Sequence, residues 1–169
     1  MVIKMIICFY AAIIICLVIT QTVILAALPF FNSCYDILIP FIIYLGLFRS
    51  LKEGLPLVFV CGFLLDGLSG AGFGLYTTTY IWLYICCRWV IGFFHAENSF
   101  ILFFAVVFGV ILQNLIFLGI FLILEPGGYM HSYILSSFHV QLIGAFITGP
   151  FFLLFFKHCF IIMDRAKMA

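Results

Sequence analysis

The side chains that could do chemistry are few, and most of them lie inside long apolar runs. Asp66 ends one such run, and Gln113 and Asn114 are adjacent in the middle of another. A carboxylate or an amide is costly in an apolar environment unless hydrogen bonds satisfy it. We therefore expect Asp66 to cap amides of the glycine-rich turn that follows it, or to anchor a ligand or partner. We expect the two amides to bond to other helices, with substrate contact as the alternative.

A serine nucleophile is the one enzymatic arrangement that the sequence suggests. Gly67, Ser69 and Gly70 match the G-x-S-G pattern of rhomboid intramembrane proteases, and His139 is a possible base. The rest of that pattern is absent, and so short a motif arises by chance in glycine-rich sequence. The seven cysteines include no C-x-x-C, and no Cys/His cluster has zinc spacing. The sequence thus predicts no catalytic residue, no cofactor and no metal ion.

The composition defines the surroundings of these residues. Hydrophobic residues make up 67% and charged residues 8% of the 169-residue chain, whereas a soluble domain is about half apolar and about 25% charged. So much apolar surface cannot be hidden from water. The net charge of +1 provides no basic excess for nucleic acid binding. We therefore predict an all-α integral membrane protein, built as a single membrane domain.

Apolar runs of about 20 residues, the length that crosses a bilayer, divide the chain into six predicted spans. The glycine-rich segment from Gly67 to Gly74 separates the third span from the fourth, and a polar loop that begins near Tyr129 precedes the sixth. Gly149-Pro150 predicts a bend in the sixth helix. The predicted spans are 5–28, 34–49, 52–68, 76–94, 99–124 and 138–163.

Two predicted helix starts carry capping boxes. Ser33 with Asp36 and Ser50 with Glu53 match the S-x-x-[DE] pattern, in which the two side chains satisfy amides of the first turn. These boxes predict starts for the second and third helices. In the predicted second helix, Pro40 lies beyond the first turn, so we expect a kink there.

Lysine and arginine orient the predicted bundle. With the N-terminus in the cytoplasm, six spans place Arg49 and Lys52 on the cytoplasmic side. Arg88 lies about two turns from the cytoplasmic end of the fourth span, where its long side chain can snorkel. The remaining basic residues, Lys4, Lys157, Arg165 and Lys167, fall on the same side, and the outer side receives Asp36, Asp66 and Glu125. Cytoplasmic segments of membrane proteins carry the excess of Lys and Arg. We therefore predict that both termini are cytoplasmic.

The stretch that begins at Gly62 resembles the signature of the rod shape-determining protein MreD family. That family carries a G-hydrophobic-hydrophobic-x-D-x-x-S-G-x-x-x-G pattern between its third and fourth helices. Here Gly62, Asp66, Ser69, Gly70 and Gly74 occupy those places. The six-span plan and the short basic turn after a proline-led second helix are also similar to MreD. The high phenylalanine content is a departure.

The resemblance implies a non-enzymatic subunit of the bacterial cell-elongation machinery, located in the cytoplasmic membrane. MreD proteins pair with the bitopic protein MreC, next to the actin-like MreB filament, the glycosyltransferase RodA and a class B penicillin-binding protein. Membrane lipid and an MreC-like protein, with RodA and the penicillin-binding protein beyond them, are therefore the implied partners.

The alternative is the substrate-binding S-component of an energy-coupling-factor vitamin transporter, whose six-helix plan is similar to that of MreD. An S-component should have a polar pocket open to the outside and a face of spaced alanines on its first helix. Here Ala11 and Ala12 are followed by Ile15 and Cys16, so that face is missing. The fold alone does not separate the two functions.

Overall fold

The computed structural model describes residues 2–25, 27, 36–70, 74–91, 99–124 and 130–168. These residues form helices and no strand, which confirms the all-helical part of the prediction. The helices are α1 Val2–Ile19, α2 Leu38–Phe48, α3 Leu51–Leu68, α4 Leu75–Ile91, α5 Ser99–Leu124 and α6 Met130–Met168, and a π-helical segment, Thr20–Leu25, continues α1.

Helix α2 lies at the centre of the bundle. It is apolar on every side, and each residue from Leu38 to Leu47 is buried. A helix without a polar face has to be enclosed by other elements or by lipid. Helices α3, α4, α5 and α6 all pack against α2, whereas α1 packs against α3. Helix α2 is therefore the common element against which four other helices pack.

Glycines bring α2 and α3 unusually close to α4. A Cβ atom added to Gly62 would lie 2.5 Å from the Cα atom of Thr77, and one added to Gly46 would lie 2.9 Å from the Cβ atom of Cys87. At Gly62 the obstacle is backbone, which cannot rotate away. The α3–α4 contact at this level therefore requires a residue without a side chain.

The second helix begins later than predicted, and this changes two expectations. Asp36 precedes α2 and its Oδ1 accepts the N–H of Leu38 at 2.9 Å, so it is not the third residue of a helix, as a capping box requires. Ser33 lies outside the described residues. Pro40 is the third residue of α2, where an N–H would have no partner within the helix. The premise of the predicted kink is therefore wrong, because Pro40 lies within the first turn of α2.

The start of α3 agrees with the prediction, but its chemistry differs. Ser50 is the N-cap residue, and its side chain makes no capping hydrogen bond. Its carbonyl instead accepts the N–H groups of Glu53 at 3.1 Å and Gly54 at 2.8 Å. The position of Ser50 in the box is confirmed, whereas its side-chain capping bond is absent.

The polar loop predicted before the sixth helix is wrong for residues 130–137, because α6 begins at Met130. This stretch contains no glycine or proline, so no residue in it strongly opposes a helix. Gly149-Pro150 lies inside α6, which continues to Met168. By contrast, α5 has the bounds that the sequence predicts.

Apolar side chains cover the outside of the bundle. Ile123, Trp89 and Phe151 are 80%, 71% and 70% exposed, and they lie on three different helices. One helical stretch within the described residues, Phe138–Cys159, is apolar over a length that can cross a bilayer. Shorter apolar stretches occur at Phe9–Val23, Leu38–Phe48 and Phe104–Ile120.

Candidate functional site

Asp66 caps the first turn of the helix that follows it. Its Oδ1 accepts the N–H of Tyr76 at 2.8 Å. Its Oδ2 accepts both the N–H of Thr77 at 3.1 Å and the Thr77 hydroxyl at 2.6 Å. The side chain is 4% exposed. The expected role as a backbone cap is therefore present, and the amides that the described residues supply belong to α4.

The other motif residues shape the α3–α4 turn around this cap. Ser69 follows the last residue of α3, and its N–H donates to the carbonyl of Leu65 at 2.8 Å. Gly70 and Gly74 have φ angles of 68° and 97°, in the left-handed region where a side chain is strained. Gly62 provides the close approach to α4 one turn before Asp66. The motif positions thus form one structural unit, which we call the α3–α4 hairpin.

A second buried carboxylate, Asp36, joins three helices. Its Oδ2 accepts hydrogen bonds from the Tyr80 hydroxyl of α4 and from Nε2 of Gln113 in α5, the latter at 3.3 Å. With the bond from the N–H of Leu38 at 2.9 Å, three donors surround a side chain that is only 5% exposed. The partial positive charge at the N-terminus of α2 adds to this stabilisation. We call Asp36, Tyr80 and Gln113 the central polar cluster.

Sequence reasoning missed the central polar cluster, because it assigned Asp36 to a capping box on the outer side. A signal was nevertheless present. Asp36 directly precedes a segment that is apolar on every side. Such a segment must be buried, and it draws the residue before it into the interior.

Asn114, the other amide singled out in the sequence, also contacts another helix. Asn114 donates from Nδ2 to Oε1 of Gln141 in α6 at 2.7 Å, and to the carbonyl of Val110 at 2.9 Å. Gln21, in the π-helical segment, accepts the N–H of Ile37 at 3.1 Å through Oε1. Gln113 and Asn114 thus form the interhelical contacts that the sequence led us to expect.

Four of the basic residues used to orient the chain lie at one end of the bundle. Arg88 of α4 donates from Nη1 to the carbonyl of Arg49, just beyond α2, at 2.9 Å. Lys157 of α6 places its Nζ 5.6 Å from the ring centroid of Phe48. Lys52 is the second residue of α3 and is exposed. We call these four residues the cationic end; Asp66 lies near the other end of α3, about 20 Å away at 1.5 Å per residue.

The arrangement of these sites suits binding and helix positioning. Both buried carboxylates already accept hydrogen bonds from neighbouring helices, so their oxygens hold elements together. Ser69 and His139, the two residues of the protease pattern, are both exposed. Among the side chains that the structure describes, no group of three His, Cys, Asp or Glu residues is placed to hold a metal ion.

Comparison with known proteins gives no significant match to any family model, to any curated protein or to any solved structure.

Proposed function

We propose that this chain is a multi-pass protein of the bacterial cytoplasmic membrane, with six spans. The observation that carries this proposal is the apolar outer surface, which surrounds a core that is itself mostly apolar. The buried polar or charged residues include Asp36, Asp66, Thr79 and Gln113, while large apolar side chains are exposed on every long helix of the bundle. Water would penalise such a surface, whereas hydrocarbon would not.

The cationic end supports the proposed orientation. Four basic residues from separate parts of the sequence lie together, and the buried carboxylate of Asp66 lies toward the opposite end of the bundle. A bundle whose basic residues share one end follows the positive-inside rule when that end faces the cytoplasm. Both termini would then be cytoplasmic.

Within the membrane, the proposed role is that of an MreD-type subunit: a non-enzymatic scaffold for an MreC-like protein in the cell-elongation complex. The support is that four of the five motif positions meet a separate physical demand in the α3–α4 hairpin. Gly62 permits close approach, Asp66 caps α4, and Gly70 and Gly74 adopt left-handed backbone. A motif match made by chance would not be expected to meet all of these demands.

The S-component of a vitamin transporter is the second candidate, and the central polar cluster is the observation in its favour. A buried group of a carboxylate, a phenol and an amide could recognise a polar substrate. The three side chains bond to one another, however, so a substrate would have to displace these bonds. We therefore favour the scaffold.

Depletion and complementation in a rod-shaped bacterial host test the proposed function. We expect depletion to give round, wide cells, and affinity purification of the tagged chain to recover an MreC-like protein. Asp66→Leu should fail to restore rods because three donors lose their acceptor, whereas Asp66→Asn, which keeps one acceptor oxygen, should restore them partly. Gly67→Ala is the matched control, since an added Cβ there meets nothing within 4 Å.

Two results would contradict the scaffold proposal. Depleted cells that remain rods but lose vitamin uptake would favour the transporter subunit. Full restoration of rods by Asp66→Leu, at wild-type protein levels in the membrane, would show that the hairpin does not matter for the function.

A further inference from the structure

Helix α4 exposes a stripe of side chains along most of its length. The members of the stripe are exposed and follow one another at spacings of four, three and four residues: Thr78, Trp82, Ile85 and Trp89. This spacing is that of the contact seam between two helices that pack along each other. The stripe contains both tryptophans of the chain. We call these four residues the α4 seam.

Trp82 places a hydrogen-bond donor at a depth where lipid has no acceptor. Its side chain is 56% exposed, and its indole N–H donates to no acceptor among the residues that the structure describes. Trp82 lies seven residues after Leu75 and nine before Ile91, the two ends of α4. These separations are about 10 Å and about 14 Å along the helix. In the membrane proposed above, lipid headgroups and water lie beyond both ends of this stretch, outside the hydrocarbon core.

The unpaired donor distinguishes between the possible neighbours of the α4 seam. An N–H group without an acceptor is unfavourable in an apolar environment, and the N–H of an enclosed tryptophan normally has a partner. An acyl chain contains no acceptor. A transmembrane helix of another protein does, because its polar side chains form hydrogen bonds between helices. Trp82 therefore favours a helix over lipid as the neighbour of the seam.

The shape of the seam defines the helix that fits it. Trp82 and Trp89 are seven residues apart, and their side chains are 56% and 71% exposed. Helices approach each other closely in membranes where one of them has small residues at the contact. A helix that packs along the seam therefore needs small residues at two positions seven apart. The residue that faces Trp82 also needs an acceptor oxygen, as serine and threonine have.

The exposed face of α6 lacks these features and serves as a reference. All of its exposed residues from Val140 to Phe155 are apolar. The hydroxyl of Thr148 in this helix donates to the carbonyl of Gly144 at 2.8 Å, within the helix. Acyl chains are sufficient to cover such a face, because it presents no donor that needs an acceptor.

We propose that the α4 seam binds the transmembrane helix of a single-span partner protein, in which a small polar side chain accepts the indole N–H of Trp82. The inference rests on the proposed scaffold function, which supplies a partner with one transmembrane helix. It adds to that function the face of the bundle that the partner contacts and the chemistry of the contact.

Site-specific photocross-linking in a rod-shaped bacterial host tests the position of the partner helix. Benzoylphenylalanine would replace Ile85 in the middle of the seam, or Ile147 on α6 as the matched control. The two isoleucines are both exposed, by 45% and 69%. We expect Ile85→benzoylphenylalanine to form an adduct with the MreC-like protein that maps to its transmembrane helix. Ile147→benzoylphenylalanine should form no such adduct.

Trp82→Phe tests the hydrogen bond, because it keeps an aromatic ring and removes the donor. The chain and the partner, each fused to a fluorescent protein, would be reconstituted in vesicles, and energy transfer would give relative dissociation constants. We expect Trp82→Phe to raise the dissociation constant about threefold, the effect of one hydrogen bond between membrane helices. Phe151→Leu, which removes aromatic volume from the exposed face of α6, is the matched control and should leave the constant unchanged.

Several results would overturn the inference. One is the absence of an adduct at Ile85 although the wild-type chain binds the partner, and another is an equal adduct at Ile147. An adduct between two copies of this chain at Ile85 would mean that a second copy covers the seam. An unchanged dissociation constant for Trp82→Phe would show that the indole donates to no partner. If the wild-type chain did not bind the single-span protein at all, the scaffold function itself would be refuted, so the two failures are distinguishable.

Discussion

At the scale of single residues, the two buried carboxylates differ in how far along the chain their hydrogen-bond donors lie. The partners of Asp66 lie 10 and 11 residues further along the chain, across one glycine-rich turn. Such a local cap can be expected from the sequence. Asp36 also accepts the nearby N–H of Leu38, but its side-chain partners lie 44 and 77 residues away. No local pattern specifies them, because they depend on how α4 and α5 pack against α2.

The central polar cluster leads to a prediction for Tyr80. Tyr80→Phe removes a donor and leaves a buried carboxylate oxygen with less compensation, so we expect a loss of about 1–3 kcal/mol in the free energy of unfolding. In an Asp36→Leu background the same change should cost almost nothing, which gives a coupling energy of similar size. Equilibrium unfolding of the four proteins in mild detergent measures it.

A control for this cycle exists on the same helix. Thr79 is fully buried next to Tyr80, and its hydroxyl donates within α4 to the carbonyl of Leu75 at 2.8 Å. Thr79→Val should therefore show no coupling to Asp36→Leu. Equal coupling for Thr79→Val and Tyr80→Phe would mean that the cluster does not act through the Tyr80–Asp36 hydrogen bond.

At the scale of secondary structure, the sequence predicted the helices whose ends have clear signals. Ser50 marks the start of α3 and the glycines mark its end. The start of α2 was placed too early, since its capping pattern was matched by residue type while the carboxylate is used elsewhere. The start of α6 was placed too late, because polar residues were taken as a sign of a loop. The length of an apolar run therefore predicted that a helix is present, whereas the polarity of the flanking residues did not predict where the helix begins.

The glycine contact between α3 and α4 gives a prediction at this scale. Gly62→Ala should destabilise the protein by about 1–3 kcal/mol, because the added methyl group meets the backbone of Thr77 at 2.5 Å and the helices must move apart. Gly67→Ala, in the same helix, should be neutral or slightly stabilising, since alanine favours helix over glycine by about 1 kcal/mol. Thermal unfolding in detergent measures both.

If Gly62→Ala and Gly67→Ala shifted the melting temperature equally, helix propensity would explain the effect. The close approach of α3 and α4 would then not be needed for stability.

At the scale of the whole molecule, the account rests on where the apolar and the basic side chains lie. Apolar side chains face outward and the polar cluster is enclosed, and four basic residues lie at one end. Composition predicted that apolar side chains face outward, because a chain with 67% hydrophobic residues cannot bury all of them. The spacing of Lys and Arg along the six predicted spans predicted that the four basic residues lie at one end. The enclosed polar cluster could not be predicted from the sequence, because it depends on how the helices pack together.

The position of the C-terminus tests the central claim most directly, because an even number of crossings returns the chain to the side on which it began. A fluorescent protein and alkaline phosphatase would each be fused after Ala169 in a bacterial host. With six spans and the cationic end in the cytoplasm, the fluorescent fusion should be bright and the phosphatase fusion inactive. An active phosphatase on the outer side, with a dark fluorescent fusion, would contradict the six-span membrane bundle.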